Sequence, residues 1–267
     1  MAAGSILNNI SAISASRTLG LTQAGLDKTI GRLTTGMRIN KAQDDAAGLA
    51  ISNRLGADIR VSAQARRNAG DGISYLQVAD GALDEVTNLL TRASELAEQA
   101  RTGTITNTNR AALDLEFQVI KEAIKNVGDN AVFNAEKVFT NTSKFVAVAS
   151  FTDVNFTIGS MSGYIKDASA ISDTTKANAA KKELDALIQS VSMQRATIGS
   201  RQQYLTTVGN TLGIQVENFT AANSQIRDAN IADEVISLTK FQILTQSGIS
   251  SLAQSNQAAQ SLLGLLR

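Results

Sequence analysis

The sequence predicts a mainly α fold: a long antiparallel helical bundle or coiled coil formed by both chain ends, with a small β-hairpin region in the middle. Three observations carry this. The 267 residues include no proline, the residue that breaks helix interiors by removing a hydrogen bond and clashing with the preceding turn. Apolar residues recur at helical spacing along both flanks. Between them, residues 133–158 hold five of the eight phenylalanines and switch to the two-residue alternation of a half-buried strand.

The first helical seam runs from Ile6 to about Met37 through Ile10, Ile13, Leu19, Leu26, Ile30 and Leu33. Residues 41–54, denser in charge, are expected to join it to a second helix over about 56–101, whose seam includes Val61, Ala65, Leu76, Ala79, Leu83, Val86, Leu90, Ala93 and Ala97. TGTITNTN, rich in β-branched and turn residues, links to a third helix from about Asn107 to Asp129 through Leu113, Phe117, Ile120 and Ile124. In the centre, Val154, Phe156 and Ile158 alternate with Asn155 and Thr157, and residues 145–149 offer an antiparallel partner with a turn near Thr152 and Asp153. The central phenylalanines are expected to anchor one or two hairpins to the helices. Helix resumes near Thr174 and continues to the C-terminus. Its last heptads read Val235, Leu238, Gln242, Thr245, Ile249, Leu252, Asn256, Ala259, Leu263 and Leu266, a coiled-coil-like seam. Phe241, Ile243 and Leu244 fall off that seam and imply contacts on more than one face.

The ends themselves are unusual. Residues 1–16 and 241–266 contain no charged side chain, although chain ends fray into water and normally carry charge. Polar Gln and Asn interrupt the second stretch, which argues against a membrane span of about 20 apolar residues. The remaining cover is other copies of the same chain. A lone helix pair buries one face per helix, too little to offset its backbone entropy, so the ends are expected to order on assembly. Helix pairing and polymerisation are assigned to Ile6, Ile10, Ile13, Leu26, Ile30, Leu33, Val235, Leu238, Ile249, Leu252, Leu263 and Leu266.

Chemistry finds few parts. The chain has no His, Cys or Trp, which removes imidazole catalysis, thiol chemistry, disulfides and nearly every zinc site. A serine nucleophile would need Lys as its base, and no Ser–Lys pair stands out. Asp44-Asp45 reads as capping and ion pairing rather than a cation site, Arg66-Arg67 as a solvated face, and Gly70-Asp71-Gly72 lacks the strand and spacing of a phosphate loop. Lys+Arg 25 against Asp+Glu 24 gives no basic stripe for nucleic acid. No catalytic residue, metal or cofactor is expected. Without a secretory signal pattern, these properties alone would place the chain in the cytoplasm.

LTTGMRINKAQDDAAGLAISNRL (33–55), RNAGDGISYLQVADGALDEV (67–86), LTRASELAEQA (90–100) and the C-terminal run ANIADEVISLTKFQILTQSGISSLAQSNQAAQSLLGLLR (229–267) resemble bacterial flagellin, the subunit of the flagellar filament. The resemblance covers about the first 140 and last 90 residues. It implies an inner domain from 1–45 and 224–267, forming the filament core, and an outer helical-bundle domain from 46–223 with a β-hairpin at about 140–165. The interval between the two ends is too short for the variable outer domains of larger relatives, so the chain looks like a minimal flagellin. Ala135 stands where the family usually has glycine, which bears on the local turn.

Further implications follow from the resemblance. The family is exported unfolded through the flagellar type III channel, without a cleavable signal peptide, and polymerises beneath a distal cap. This replaces the cytoplasmic expectation with an extracellular filament, or one enclosed in a periplasm. The implied partners are other copies of the chain, an export chaperone on the C-terminal segment, cap and hook-junction proteins, and the host toll-like receptor for flagellin. No nucleic acid and no membrane insertion are implied. Matching ELAEQ places the family's receptor contact at Arg92, Leu96 and Glu116. The bland alternative pairs Arg92 with Glu116 and packs Leu96 between subunits. Hydroxyl-rich loops in the family carry O-glycans, which makes Thr140, Thr142, Ser143, Ser160 and Ser162 candidate acceptors. The hook–filament junction protein is the alternative structural reading, since it shares the terminal helices; the length of the match at both ends favours the filament subunit. A flagellin-related metalloprotease is excluded, because without histidine no HExxH motif exists.

Overall fold

The computed structural model describes residues 9–149, 151–159 and 170–265, with side chains to Ser261. In chain order the elements are α1 (Ile10–Thr35), α2 (Ala46–Arg101), α3 (Asn107–Asn130), β1 (Val132–Phe133), β2 (Glu136–Lys137), β3 (Ser143–Val146), β4 (Val154–Thr157), α4 (Thr174–Arg227) and α5 (Ile231–Leu265). The chain is mainly α with two small antiparallel hairpins between its helical flanks, the class expected from the sequence. It forms two compact units, one from Met1–Asp58 with Asn218–Arg267 and the other from Ile59–Glu217.

The second unit contains the large apolar core. Buried residues of α2 (among them Leu76, Leu83, Val86, Leu90 and Ala97), α3 (Phe117, Ile120, Ile124) and α4 (Leu184, Val191, Ile198, Leu205, Leu212) join the hairpin residues in one cluster. These are the seams that helical periodicity marked out, with one exception: Val61 is exposed. The helices alternate in direction. Arg195 on α4 donates to Asp80 (2.9 Å) and Asp84 (2.7 Å) on α2, while Gly72 faces Leu205 further along, an antiparallel order.

The α2–α3 link is organised by an arginine. Arg110, almost wholly buried, donates to the carbonyls of Ala100 (2.8 Å) and Thr102 (2.9 Å) and to the Asn107 side chain (2.9 Å). It thereby satisfies carbonyls that the end of α2 leaves without helical partners. Thr106 caps α3 by accepting from the Asn109 N–H (3.3 Å).

β3 and β4 pair antiparallel, with Val146 opposite Val154 and Lys144 opposite Phe156. Val154 and Ile158 are buried and Asn155 and Thr157 exposed, as the alternation required. The first strand differs from expectation. It spans Ser143–Val146, and the buried Val146, with Val148 just beyond the strand, puts Phe145 on the opposite face, 67% exposed. Phe139 is buried and Phe133, Phe151 and Phe156 pack partly against the core; Phe133 and Phe156 flank Tyr75, with ring centroids 5.6 and 5.4 Å away. The Tyr75 hydroxyl donates to the Val138 carbonyl (3.1 Å), and burial pushes its pKa up. Gly72 permits a close approach of the hairpin: a Cβ there would stand 2.7 Å from a Val146 methyl.

β1 and β2 are joined by Asn134 (φ 49°) and Ala135 (φ 63°), a two-residue turn with both central residues left-handed, the geometry that asparagine–glycine pairs satisfy without strain. Ala135 keeps the turn at a steric cost of about 1–2 kcal/mol, because its Cβ crowds the following carbonyl. Ala135→Gly should therefore stabilise the second unit by about 1 kcal/mol after the loss of chain stiffness is included, raising its thermal midpoint by about 2–4 °C. A circular-dichroism melt of the two chains checks this.

Candidate assembly interface of the chain ends

In the first unit α1 and α5 lie antiparallel. Leu19 fills the space beside Gly248, and the Phe241 ring covers Gly25, where a Cβ would come within 2.7 Å of it. At one end Asn9 donates to the Ser255 carbonyl (3.1 Å); at the other Arg32 pairs with Glu234 (3.1 Å). The residues that α1 turns inward include Thr22 and Thr29, both buried. On α5 the partly covered positions include Glu234, Leu238, Phe241, Thr245, Gly248, Leu252, Ser255 and Ala259, a three-four heptad alternation, with Ser237 beside it. The contact is thus made of glycines, hydroxyls and a few large side chains.

Two connections close this unit. Gly36 ends α1 in the left-handed region (φ 69°), the usual helix stop. Beyond it Met37 bridges Asp228, with the Arg38 N–H donating to the Arg227 carbonyl (2.7 Å) and the Ala229 N–H to the Gly36 carbonyl (2.9 Å). The Arg38 side chain adds a bond to the Ile226 carbonyl (2.7 Å). Asn230 caps α5 by accepting from the Ala232 N–H (3.1 Å), so the C-terminal helical run is broken at 228–230, a break that periodicity did not reveal.

The acidic pair divides its labour. Asp45 caps α2 by accepting from the Gly48 N–H (2.9 Å), and a Cβ at Gly48 would collide with that carboxylate. The helix therefore starts at Ala46, and the expected 41–54 connection shrinks. Asp44 accepts from Lys28 on α1 (2.8 Å) through one oxygen and from the backbone N–H groups of Lys41 (3.1 Å) and Asn40 (3.3 Å) through the other. The Lys28 bond and then these amides hold its pKa down to about 2. Both carboxylates are accounted for by capping and ion pairing. Among the described residues no group of carboxylates is arranged to hold a metal, and no helix is long and apolar enough to cross a membrane.

The residues assigned to pairing and polymerisation separate into two sets. Leu26, Leu33, Leu238 and Leu252 are partly covered within the chain. Ile10 (71%), Ile13, Ile30, Val235 and Ile249 (51%) are exposed, and Leu21, Ile231, Ile236, Ile243 and Leu244 join them. The heptad phase explains the split. The intrachain seam keeps positions 238, 245, 252 and 259 of the expected register, but its other positions lie one residue earlier, at 234, 241, 248 and 255. Phe241, read as off the seam, belongs to it. Ile6, Leu266 and the Leu263 side chain lie outside the described residues.

In the second unit Arg92 and Glu116 are exposed and paired at 2.7 Å, with Glu95 at 3.1 Å on the same guanidinium; Glu116 and then Glu95 raise the arginine pKa. Leu96 is 1% exposed, a core residue of its own subunit. This corrects its expected packing between subunits and its expected place in an accessible receptor contact: a step of four residues along α2 leads here from the surface into the core. Thr140, Thr142 and Ser143 are exposed; Ser160 and Ser162 lie outside the described residues.

Comparison with known proteins bears on these helical flanks. Residues 6–144 match the family model of the bacterial flagellin N-terminal helical region, and residues 182–266 match that of the C-terminal helical region. The chain belongs to the bacterial flagellin family. A flagellin of Halalkalibacterium halodurans is 38% identical over 98% of this chain and 99% of its own. A Treponema pallidum flagellin is 35% identical with the same coverage. The crystal structure of Bacillus cereus flagellin matches with a TM-score of 0.52 and 27% identity over 59% of this chain and 94% of that one. Flagellins are structural proteins of the flagellar filament, and none of these matches favours the hook-junction alternative.

The Asp44 cluster gives this flagellin a defined acid response. A carboxyl whose pKa is lowered by folding stabilises the fold above its unfolded value, near 3.8, and loses that contribution as pH falls through the folded value. The stabilising effect of Asp44 should be complete above about pH 4 and disappear between about pH 4 and pH 2. In acid titration followed by circular dichroism, Asp44→Asn should be less stable than the parent at neutral pH, and the two curves should converge toward pH 2.

Proposed function

We infer that this chain is the structural subunit of a bacterial flagellar filament and that copies join through the outward faces of α1 and α5. The observation that carries the reading is the division of side chains on this helix pair. Its internal seam interleaves leucines and Phe241 with glycine, threonine, serine and alanine. By contrast, seven isoleucines, Leu21, Leu244 and Val235 remain exposed on two helices whose outer ends, 10–16 and 241–265, carry no charge. Apolar surface of this extent favours removal from water, and self-polymerisation is the behaviour of the family. In this reading the first unit forms the inner core of the filament and the second its outer layer.

Several finer assignments belong to the same proposal. The polymer lies outside the cell or in a periplasm, after export through the flagellar channel. Before export the uncharged C-terminal helix is covered by a chaperone, and growth takes place between hook-junction and cap proteins. Exposed Thr140, Thr142 and Ser143 are the described candidates for O-glycosylation. Recognition by the toll-like receptor would rest on Arg92 and Glu116, with Leu96 acting through the packing of α2 rather than by contact.

Seeded elongation tests the central claim. Ile243→Asp and Ile249→Asp each place a charge on the exposed face, leaving the subunit's own seam untouched. Burying an unpaired charge costs several kcal/mol and recurs at every subunit. Both variants should keep the parent's monomer melt yet fail to elongate filament seeds in electron micrographs. Normal elongation by either would remove this face from the interface.

A further inference from the structure

A groove and a ridge in the second unit, on different helices, match one another. The groove runs between α2 and α4. Its floor is Ala69, Ile73 and Leu205, Gly209 and Gly213 leave it open, and Arg66 and Glu217 stand at one end. A side chain on Gly209 would meet nothing within 4 Å among the described residues, so the groove is open there. The ridge is the outer face of α3, where Leu115 and Val119 are 71% and 66% exposed. One further turn along the helix come Glu122 and Lys125, both exposed.

We propose that the α2–α4 groove of one subunit receives the α3 ridge of a second copy. The spacing fits: Ile73 follows Arg66 by seven residues, and Glu122 follows Leu115 by the same number, about 10 Å along either helix. With Leu115 against Ile73, Val119 lies over Gly209, Glu122 reaches Arg66 and Lys125 reaches Glu217. The reversed orientation would bring the uncharged Thr108 to Arg66 in place of Glu122, so charge fixes the direction of docking. A groove on one face and a ridge on another make a heterologous contact, the type that propagates into a helical filament instead of closing into a dimer. The proposal rests on the filament reading and names the surface by which the second unit contributes to it.

The absence of native cysteine makes disulfide trapping clean. Filaments of a Val119→Cys, Gly209→Cys double variant should give, on oxidation, a ladder of covalent multimers on a non-reducing gel. Filaments of either single variant should stay monomeric, and a mixture of the two should stop at dimers. Double-variant filaments that remain monomeric would overturn the contact, as would a single variant that dimerises. Should the double variant fail to assemble, charge reversal decides: Arg66→Glu and Glu122→Arg should each slow seeded elongation at least several-fold, and together restore it. Absence of rescue overturns the proposal. Failure of the parent chain itself to form filaments would instead refute the filament reading.

Discussion

The packing of α1 against α5 is the constraint on which the first unit and its outward faces depend. Leu19 over Gly248 and Phe241 over Gly25 set how closely the helices approach, and the polar contacts Asn9–Ser255 and Arg32–Glu234 mark the two ends of the register. A seam with so many hydroxyls and glycines yields little hydrophobic free energy per turn, because that term follows the apolar area removed from water. It yields specificity instead. Glycine holes accept their partners in one alignment, and an unpaired arginine or glutamate would penalise a slipped one. Several large apolar side chains, Ile243 and Ile249 among them, are left on the outward faces.

The second unit is organised on the opposite principle. Its core is continuous from Ala65 to Ala100 on α2 and from Ala177 to Leu212 on α4, with α3 and the hairpins covering the flank. Polar groups enter it with satisfied partners, as the Tyr75 hydroxyl and the Arg110 guanidinium show. Arg195 spans Asp80 and Asp84 at the edge of the helix pair, and its exposure keeps the strength of this interaction modest. One unit holds itself together by apolar burial. The other leaves much of its apolar surface outside.

Much of this was legible in the sequence, and the failures have physical causes. The seams of α2, α3 and α4 could be read because each buries one apolar stripe, and helical periodicity reports that directly. The intrachain seam of α5 could not be read in full. Heptad reasoning follows large apolar residues, so it selected Val235 and Ile249, whereas the positions facing α1 are Glu234 and Gly248. The expectation that the central phenylalanines anchor the hairpins fails at Phe145, because alternation with the buried Val146 and Val148 turns it outward. Leu96 shows the limit of spacing arguments: residues four apart are neighbours on a helix surface, yet the edge of the core falls between it and Arg92. The start of α2 and the break before α5 depend on Asp45 and Asn230 as caps, single-residue signals that charge density and periodicity pass over. The family motifs supplied the filament reading, which the residue chemistry alone left at self-association.

The Asn9–Ser255 contact joins residues 246 positions apart. A helix whose partner is nearly the whole chain away cannot complete its fold while the chain is still emerging, whichever machinery delivers it in N-to-C order. α1 appears first and is satisfied last. For that interval the second unit, whose core closes by Leu212, is free to fold while the leading helix waits for the trailing one. The order of events is written into the topology: local structure first, then the pairing of the ends, as the final residues arrive.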